Sequence, residues 1–475
     1  MKKGLFLSGE DKAAENYYSV FNPHTEGLIG EAADCTPSEM SEAIEKAYEA
    51  YKNMKALTSN EKAGILFRAA AILRDRKEEA ARIISQEACK PITAARTEVQ
   101  RTVQTLQFSG EETKRMNGEY LQLDAAEGGE GRDAYTLHES IGVVGAITPF
   151  NFPLNLVTHK VGPAIAAGNT IVVKPAEQTP FSSMLLAEIL SEAGLPPGAI
   201  AIVPGDGKTL GEVMLKDERI KKISFTGSPE VGKLLKAEAG LKKMTLELGS
   251  NSPMYVDQSC RVEMSEVAEK SVKGAFAYNG QVCLSTQRIY VHEEIFDDFI
   301  QECSEKAAQL HFGDPLEEST EVSSLINKKS QQRLYEWIKE AKAEGAEVLA
   351  GGEKVGNGLE PTILFNVSST SSISCKEAFG PVVIINKVKN SEEALEHMNN
   401  SRFGLNAGVF TNDLKQAVDM AHRIEAGQVL INDVPTLRFD HMPYGGVKDS
   451  GYGREGIKYA IEEMTELKMI SIKYR

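Results

Sequence analysis

The feature that most constrains this fold is a series of short, continuously apolar runs between residues 141 and 249. They read IGVVGAITP (141–149), TIVVKPA (170–176), AIAIVPG (199–205), KISFTG (222–227) and MTLELG (244–249). Each has the length of a strand and ends in a turn, and helical stretches separate them. A strand that is apolar on both faces must be covered on both. Alternation of β and α does this by laying helices on either side of a parallel sheet. The runs predict a doubly wound α/β domain, in which ligands bind at the carboxyl ends of the strands. The polar residues that attract attention fall just after these runs.

A second series, RIYVHE, PTILFNV, PVVIINKV and AGVFT, lies between residues 250 and 448 and predicts a second α/β unit. The first third of the chain reads helical. Thr36-Pro37-Ser38-Glu39 combines a Thr cap, a Pro at the first helical position and a Glu three residues after the cap. Ile44, Ala47, Tyr48 and Tyr51 then mark one apolar stripe. Further helices carry Ile65, Ala69 and Ile72, and then Ile83, ending near Cys89-Lys90-Pro91. Between residues 119 and 140, YLQL and YTLH flank an acidic, Gly-rich turn from Asp124 to Asp133, a hairpin pattern. The last residues, KMISIKYR, read as a strand. Neither piece has a place in a doubly wound sheet, so both are expected to pair subunits.

Charge and cysteine usage narrow the function. The formal charge is −15, from 53 basic and 68 acidic residues, which opposes nucleic acid and anionic membranes as partners. No apolar run is long enough for a membrane helix, and the N-terminal residues lack the apolar region of a secretory signal. Cysteines at 35, 89, 260, 283, 303 and 375 form no CxxC pair and no metal-ligand spacing with His. The expectation is a cytoplasmic protein with free thiols and no bound metal.

Some residues could carry chemistry. Cys283, in FAYNGQVCLSTQR (276–288), follows a Gly and lies among small and polar residues. A nucleophilic thiol needs partial access and a field favouring thiolate. From this segment alone a buried Cys acting as a small hydrophobe is the stronger reading. Glu247 ends an apolar strand, where desolvation raises a carboxyl pKa and suits a general base; the alternative is a strand-end Glu meeting solvent. Asn151, in TPFNFP (148–153), can donate to a developing alkoxide or merely cap a helix. Lys174 and Glu177 follow the second strand and suit ribose hydroxyls, or pair with each other at a turn. Glu177 would repel a 2′-phosphate, favouring NAD over NADP. In FTGSPEVG (225–232), Gly227 and Gly232 bracket a strand-to-helix turn whose N–H groups could receive a pyrophosphate. The spacing is not GxGxxG, which disfavours an ordinary Rossmann dehydrogenase.

Taken in order, PFNFP, GNTIVVKPAE, FTGS, LELG, GQVCLS, EAFGPV and PYGGVKDSGYGREG resemble the aldehyde dehydrogenase superfamily over nearly the whole chain. The resemblance favours the catalytic reading of Cys283, Glu247 and Asn151 over the structural one. It implies an α/β fold of two doubly wound domains plus a β-hairpin oligomerisation element. The implied division is 1–118 and 135–250, with 449–462, as the NAD-binding domain, 251–448 as the catalytic domain, and 119–134 with 463–475 for oligomerisation. It implies that Cys283 attacks the aldehyde, that Asn151 and the Cys283 N–H hold the oxyanion, and that Glu247 activates water to release the acid from a thioester. For the dinucleotide it implies Thr148, Pro149 and Phe150 after the first strand, with Lys174 and Glu177 after the second. Gly205 follows the third, and Phe225, Gly227, Ser228 and Gly232 surround the fourth. Leu248, Glu377 and Phe379 complete the set. Lys160 matches a position of the active-site network. NAD is the expected cofactor, with NADP admissible, and the assembly a homodimer or homotetramer.

Two departures bear on this. Phe150 stands where the family usually has Trp, and ELGSNSP (247–253) replaces the frequent ELGGK. The latter resembles a subgroup containing lactaldehyde dehydrogenases and enzymes of small hydroxyaldehydes, including non-phosphorylating glyceraldehyde-3-phosphate dehydrogenases. Retention of Glu247 favours hydrolysis over acyl transfer to coenzyme A. His159 falls at a tunnel position that is commonly apolar and Arg438 at the other wall, commonly aromatic, with Tyr444 nearby as a further substrate-pocket residue. A His and an Arg there suit a phosphate, sulfonate or carboxylate tail. The competing reading pairs Arg438 with Asp440 or Asp433, away from substrate. The expected activity is oxidation of a small, 2-hydroxy, anionic aldehyde. The alternatives are a semialdehyde dehydrogenase of the succinic type and a catalytically silent NAD-binding structural protein.

Overall fold

The computed structural model describes residues 1–474. Two α/β sheets dominate it. The eight-stranded sheet holds all five apolar runs, as Lys243–Glu247, Ile220–Thr226, Val143–Ile147, Thr170–Lys174 and Ile200–Ile202 in that spatial order, all parallel. Gly451–Tyr452 adds an antiparallel edge beside Lys243–Glu247, and Leu5–Leu7 with Glu10–Lys12 closes the other side. The chain moves outward from Val143–Ile147 through two strands, then returns to that strand's other side with Ile220–Thr226. This reversal opens a crevice at the carboxyl ends of these two neighbours.

The seven-stranded sheet runs Glu347–Ala350, Thr362–Phe365, Val382–Val388, Arg288–His292, Pro253–Val256, Asn406–Phe410 and Gln428–Ile431. All its pairings are parallel except the first. The four predicted strands lie in it; the flanking strands Glu347–Ala350 and Gln428–Ile431 and the inner Pro253–Val256 went unread.

A third sheet holds Tyr120–Leu121, Arg132–Ser140 and Thr465–Lys473. Thr465–Lys473 pairs with Arg132–Ser140 over its entire length, so hairpin and terminal strand form one unit. The expected boundary between 134 and 135 falls inside a strand, because pairing continues to Ser140. Arg475, the last residue of the predicted terminal strand, lies outside the described residues.

The expected helices form, as Pro37–Ala56, Ser59–Asp75 and Lys77–Ala88. Thr36 and Glu39 make the reciprocal capping box. Tyr48, expected on the buried stripe, is 55% exposed. The buried face is Met40, Ala43, Ile44, Ala47, Ala50 and Met54, rotated off Tyr48 so that small residues can lie close on the sheet. The first 35 residues are also less helical than expected: five short strands lie before Thr36. Their charged sequences, such as KK and EDK, hide strands that pair at edges.

Helix Asn155–Ala167 follows the first core strand and is buried on every side, between the sheet and helix Ile92–Thr113. Its polar residues Asn155, His159 and Lys160 must find partners inside the protein. Those partners build the site.

Candidate active site

Cys283 stands where two cavities meet and lines both. The first, of about 370 Å³, opens at the strand crevice. It is lined by Thr148, Pro149, Phe150 and Asn151 after one strand, by Phe225, Gly227 and Ser228 at the end of its neighbour, and by Lys174, Glu177, Leu248, Glu377 and Phe379. The predicted dinucleotide residues thus converge, with two exceptions. Gly205 and Gly232 lie behind the wall. A Cβ at Gly232 would come within 2.4 Å of Leu248, and one at Gly205 within 2.9 Å of the Cys35 nitrogen, so both positions need glycine for close packing.

The details fit a nicotinamide dinucleotide. Ser228 caps helix Pro229–Glu238, presenting a helix N-terminus to the cavity. Glu177 Oε1 accepts from Lys174 Nζ at 3.1 Å and from the Gly207 nitrogen at 2.9 Å. The turn pairing and the cavity-lining position therefore hold together. Thr148 Oγ1 is buried with no hydrogen-bond partner among the described residues, as a group awaiting a ligand would be. Phe379 adopts a left-handed φ of 49° and meets Phe150 edge to face at 5.7 Å. A strained aromatic beside a cavity is held there by its surroundings. Glu377 accepts from the Ser250 nitrogen at 3.0 Å, and burial pushes its carboxyl up to about 7.

The second cavity, of about 470 Å³, reaches Cys283 from the opposite side. Its wall carries Lys90, Arg101, Lys270, Lys273 and Arg438 against one carboxylate, Glu98. Lys90 is buried against Glu98 and under the rings of Phe152 and Tyr278. Arg101 grips Asp440 through two nitrogens, at 2.7 and 3.1 Å. Arg438 stacks on Tyr444 at 3.6 Å and reaches Glu455 only at 3.6 Å; its Nε is buried without an acceptor among the described residues. Arg438 therefore pairs with neither Asp440 nor Asp433, and it lines the cavity.

His159 differs from expectation. It is buried, does not line the cavity, and is held by Asp440 at 2.8 Å, with Arg438 at 3.5 Å on its other nitrogen. Burial and the Arg438 charge press its pKa down. Asp440, bound by Arg101, Asn155 and His159, is held far below the usual carboxylate range despite burial. His159 thus braces the wall behind Arg438. Tyr444 is also behind the wall; its hydroxyl lies 3.2 Å from Cys283 Sγ.

Asn151 Nδ2 donates to the Gln281 carbonyl at 3.0 Å, tying it two residues from Cys283 and leaving its second amide hydrogen free. Lys160 binds Glu455 at 2.6 Å and Thr226 at 2.8 Å. Glu247 is buried, and neither carboxylate oxygen has a hydrogen-bond partner among the described residues. Burial first, then the neighbouring Glu455 charge, raises its pKa well above the ordinary value. Glu455 stays ionised because Lys160 and Arg438 outweigh its burial. Burial likewise lifts the Cys283 thiol to about 11, against the pull of Tyr444 and Arg438.

A parallel-sheet crevice fitted to a dinucleotide, with a cysteine at its inner end and a desolvated carboxyl nearby, defines an oxidoreductase site with a covalent step. The comparisons name its family. The model of the aldehyde dehydrogenase family matches residues 10–470, and the chain belongs to that family. It is 44% identical to a 3-sulfolactaldehyde dehydrogenase of Priestia megaterium over 469 residues, 98% of this chain and 97% of the relative. It is 39% identical to a lactaldehyde dehydrogenase of Methanococcus aeolicus over 472 residues, 98% and 99% of the two chains. Among solved structures, the glyceraldehyde-3-phosphate dehydrogenase GapN of Methanocaldococcus jannaschii, complexed with NADP, superposes with a TM-score of 0.92. That pair shares 37% identity, covering 97% of this chain and 100% of the other.

Sequence reasoning missed Lys90, Arg101, Lys270 and Lys273. Arg101, Lys270 and Lys273 read as solvated helix charges and Lys90 as a charge at a helix break; no local signal separates a charge facing a cavity from one facing water. Glu455 could have been found: it sits in the quoted GYGREG motif as the partner Lys160 requires.

Proposed function

We propose that the chain oxidises a small 2-hydroxyaldehyde with an anionic tail to the carboxylic acid, using NAD and admitting NADP. The observation that carries this is Arg438: a buried guanidinium with an orphan Nε, in a cation-rich cavity ending at Cys283. A sulfonate, phosphate or carboxylate in that cavity would meet this cation. By name, the relatives act on sulfolactaldehyde and lactaldehyde, and the solved neighbour on glyceraldehyde 3-phosphate. These favour a hydroxyaldehyde over a semialdehyde, and a working enzyme over a silent binding protein.

In this reading, Cys283 Sγ attacks the aldehyde carbon. The free amide hydrogen of Asn151 and the Cys283 N–H receive the resulting oxyanion. A nicotinamide dinucleotide in the first cavity would supply the acceptor for the hydride lost from the adduct carbon, and Cys283 is then left holding a thioester. Glu247 takes a proton from the water that attacks this thioester, and the acid departs as Cys283 Sγ is freed. Lys174, Glu177 and Ser228 hold the dinucleotide, with Glu177 disfavouring a 2′-phosphate. Residues 1–118 and 141–250, with 449–462, form the dinucleotide domain, 251–448 the catalytic domain, and 119–140 with 463–475 the oligomerisation element.

Arg438→Met is expected to raise KM for 3-sulfolactaldehyde by about 10- to 100-fold, the loss of one charge-assisted hydrogen-bonded contact. KM for uncharged lactaldehyde should change less than about threefold, since that substrate places no anion at the guanidinium. Steady-state kinetics with both aldehydes checks this; an unchanged KM for the anionic one rejects the tail assignment.

The three-stranded sheet exposes Leu137, Leu467, Met469 and Ile472. The register places Leu137 and Ile472 on one face and Leu467 and Met469 on the other; apolar side chains exposed on a sheet at the surface favour pairing between copies, and a homodimer or homotetramer is the proposed assembly. Leu467→Lys with Met469→Lys should reduce the mass found by light scattering to that of smaller species. No described helix is long and apolar enough to cross a membrane. The free thiols, four of them buried, suit the cytoplasm.

A further inference from the structure

Tyr444 does more than fill space beside the site. Among the described residues its hydroxyl contacts one side-chain partner, Cys283 Sγ, at 3.2 Å, and the residue is almost completely buried. Its place is fixed from the backbone: Tyr444 N–H donates to the Glu455 carbonyl at 3.0 Å and Glu455 N–H returns a bond at 2.7 Å. On the ring face, the Arg438 guanidinium sits 3.6 Å from the centroid. A cation over the ring draws electron density from it and sharpens the O–H as a donor. We infer that Tyr444 is a catalytic hydrogen-bond donor to the Cys283 thiolate, stabilising the nucleophile before attack and as it is freed from the thioester. The inference rests on Cys283 being the nucleophile.

The surroundings make such a donor consequential. Cys283 sits half-buried at the junction of the cavities, and the charged and polar groups acting on it are Glu247, Glu377, Arg438 and Tyr444. Two of these are carboxyls that oppose a thiolate. Arg438 favours one, but at a distance and shared with Glu455. Tyr444 is the group in direct contact. Burial keeps its phenol protonated well into the alkaline range, so it remains a donor wherever the thiol ionises. In the thiol form, the S–H can point to Oη. On ionisation the hydroxyl needs only to rotate to donate, moving no heavy atom. A charge-assisted O–H···S⁻ bond then replaces a neutral one in a site of low dielectric.

The test is the pH dependence of Cys283 alkylation by iodoacetamide, followed by peptide mass mapping so that exposed Cys375 is counted separately. It needs no aldehyde turnover. Tyr444→Phe keeps the ring under Arg438 and removes the hydroxyl alone. The expected result is alkylation at Cys283 slowed by about fivefold or more at each pH below the wild-type apparent pKa, with the profile displaced to higher pH. A single fluorotyrosine at 444, a more acidic phenol in the same place, should displace the profile to lower pH. It supplies the test independently if Tyr444→Phe does not fold. Coincident profiles for wild type and variants overturn the role of Tyr444 while leaving Cys283 as nucleophile. Failure of Cys283 to alkylate in the wild type overturns both.

Discussion

Replacing Cys283 by Ala removes turnover, by about 10⁵-fold or more, the scale seen when a covalent nucleophile is deleted. NADH formation is expected to vanish in the first turnover as well as at steady state, because no adduct forms from which hydride can leave. Dinucleotide affinity should stay within about threefold of wild type, since one small side chain at the inner end contributes little binding area. The first cavity is otherwise built by Lys174, Glu177, Thr148 and the turn at Gly227-Ser228. Rapid-mixing fluorescence for NADH, with titration of NAD, checks both halves. A variant that still gives a stoichiometric NADH burst refutes the assignment. The environment is what separates this thiol from the others. Cys35, Cys89, Cys260 and Cys303 are buried, and Cys375 is exposed away from both cavities. Cys283 alone among the described cysteines lines both cavities.

Cys283 was singled out as catalytic only by the resemblance, but why the dinucleotide side was legible while the wall of the second cavity was not follows from how each is encoded. The dinucleotide side is built by strand ends and the turns just after them. Asn151, Lys174, Gly227 and Leu248 are each a few residues past an apolar run, so a strand pattern and its following turn suffice to locate them. The second cavity is assembled from helices Ile92–Thr113 and Met264–Phe276, the start of helix Asn155–Ala167 and the stretch 434–438, distant in sequence. Arg101 faces inward because Asp440, 339 residues away, holds it there. No periodicity carries that information. His159 shows the complementary limit: its position beside the site was readable, but Asp440 turns it into a brace. Tyr48 failed for a simpler reason, since a helical period fits any stripe within one step, and large aromatics yield to small residues where a helix lies close on a sheet.

Glu247→Gln is expected to leave the acylation half of the reaction and stop the release half. One equivalent of NADH per active site should appear in a burst, followed by a steady-state rate lower by about 10²- to 10⁴-fold, the range for a lost general base. A thousandfold loss corresponds to about 4 kcal/mol of transition-state stabilisation. The pH dependence gives the sharper check. The base must be ionised to act, and burial with Glu455 nearby raises the Glu247 pKa well above its ordinary value. Deacylation in the wild type should therefore climb with pH through that raised pKa and level off above it. At lower pH the protonated carboxyl cannot accept from water. Glutamine has no such ionisation, so the variant's slow release should rise with hydroxide alone and show no plateau. Single-turnover release of the acid, measured across pH with preformed thioester, distinguishes the two curves. If the variant keeps the wild-type plateau, another group is the base. Glu455 is a poor candidate for that role: Lys160 at 2.6 Å and Arg438 hold it ionised but engaged, its proton affinity lowered where a base needs it raised. The two buried carboxyls differ in partners more than in depth, and that difference favours Glu247, left without a cation in contact, in the proposed water-activating role.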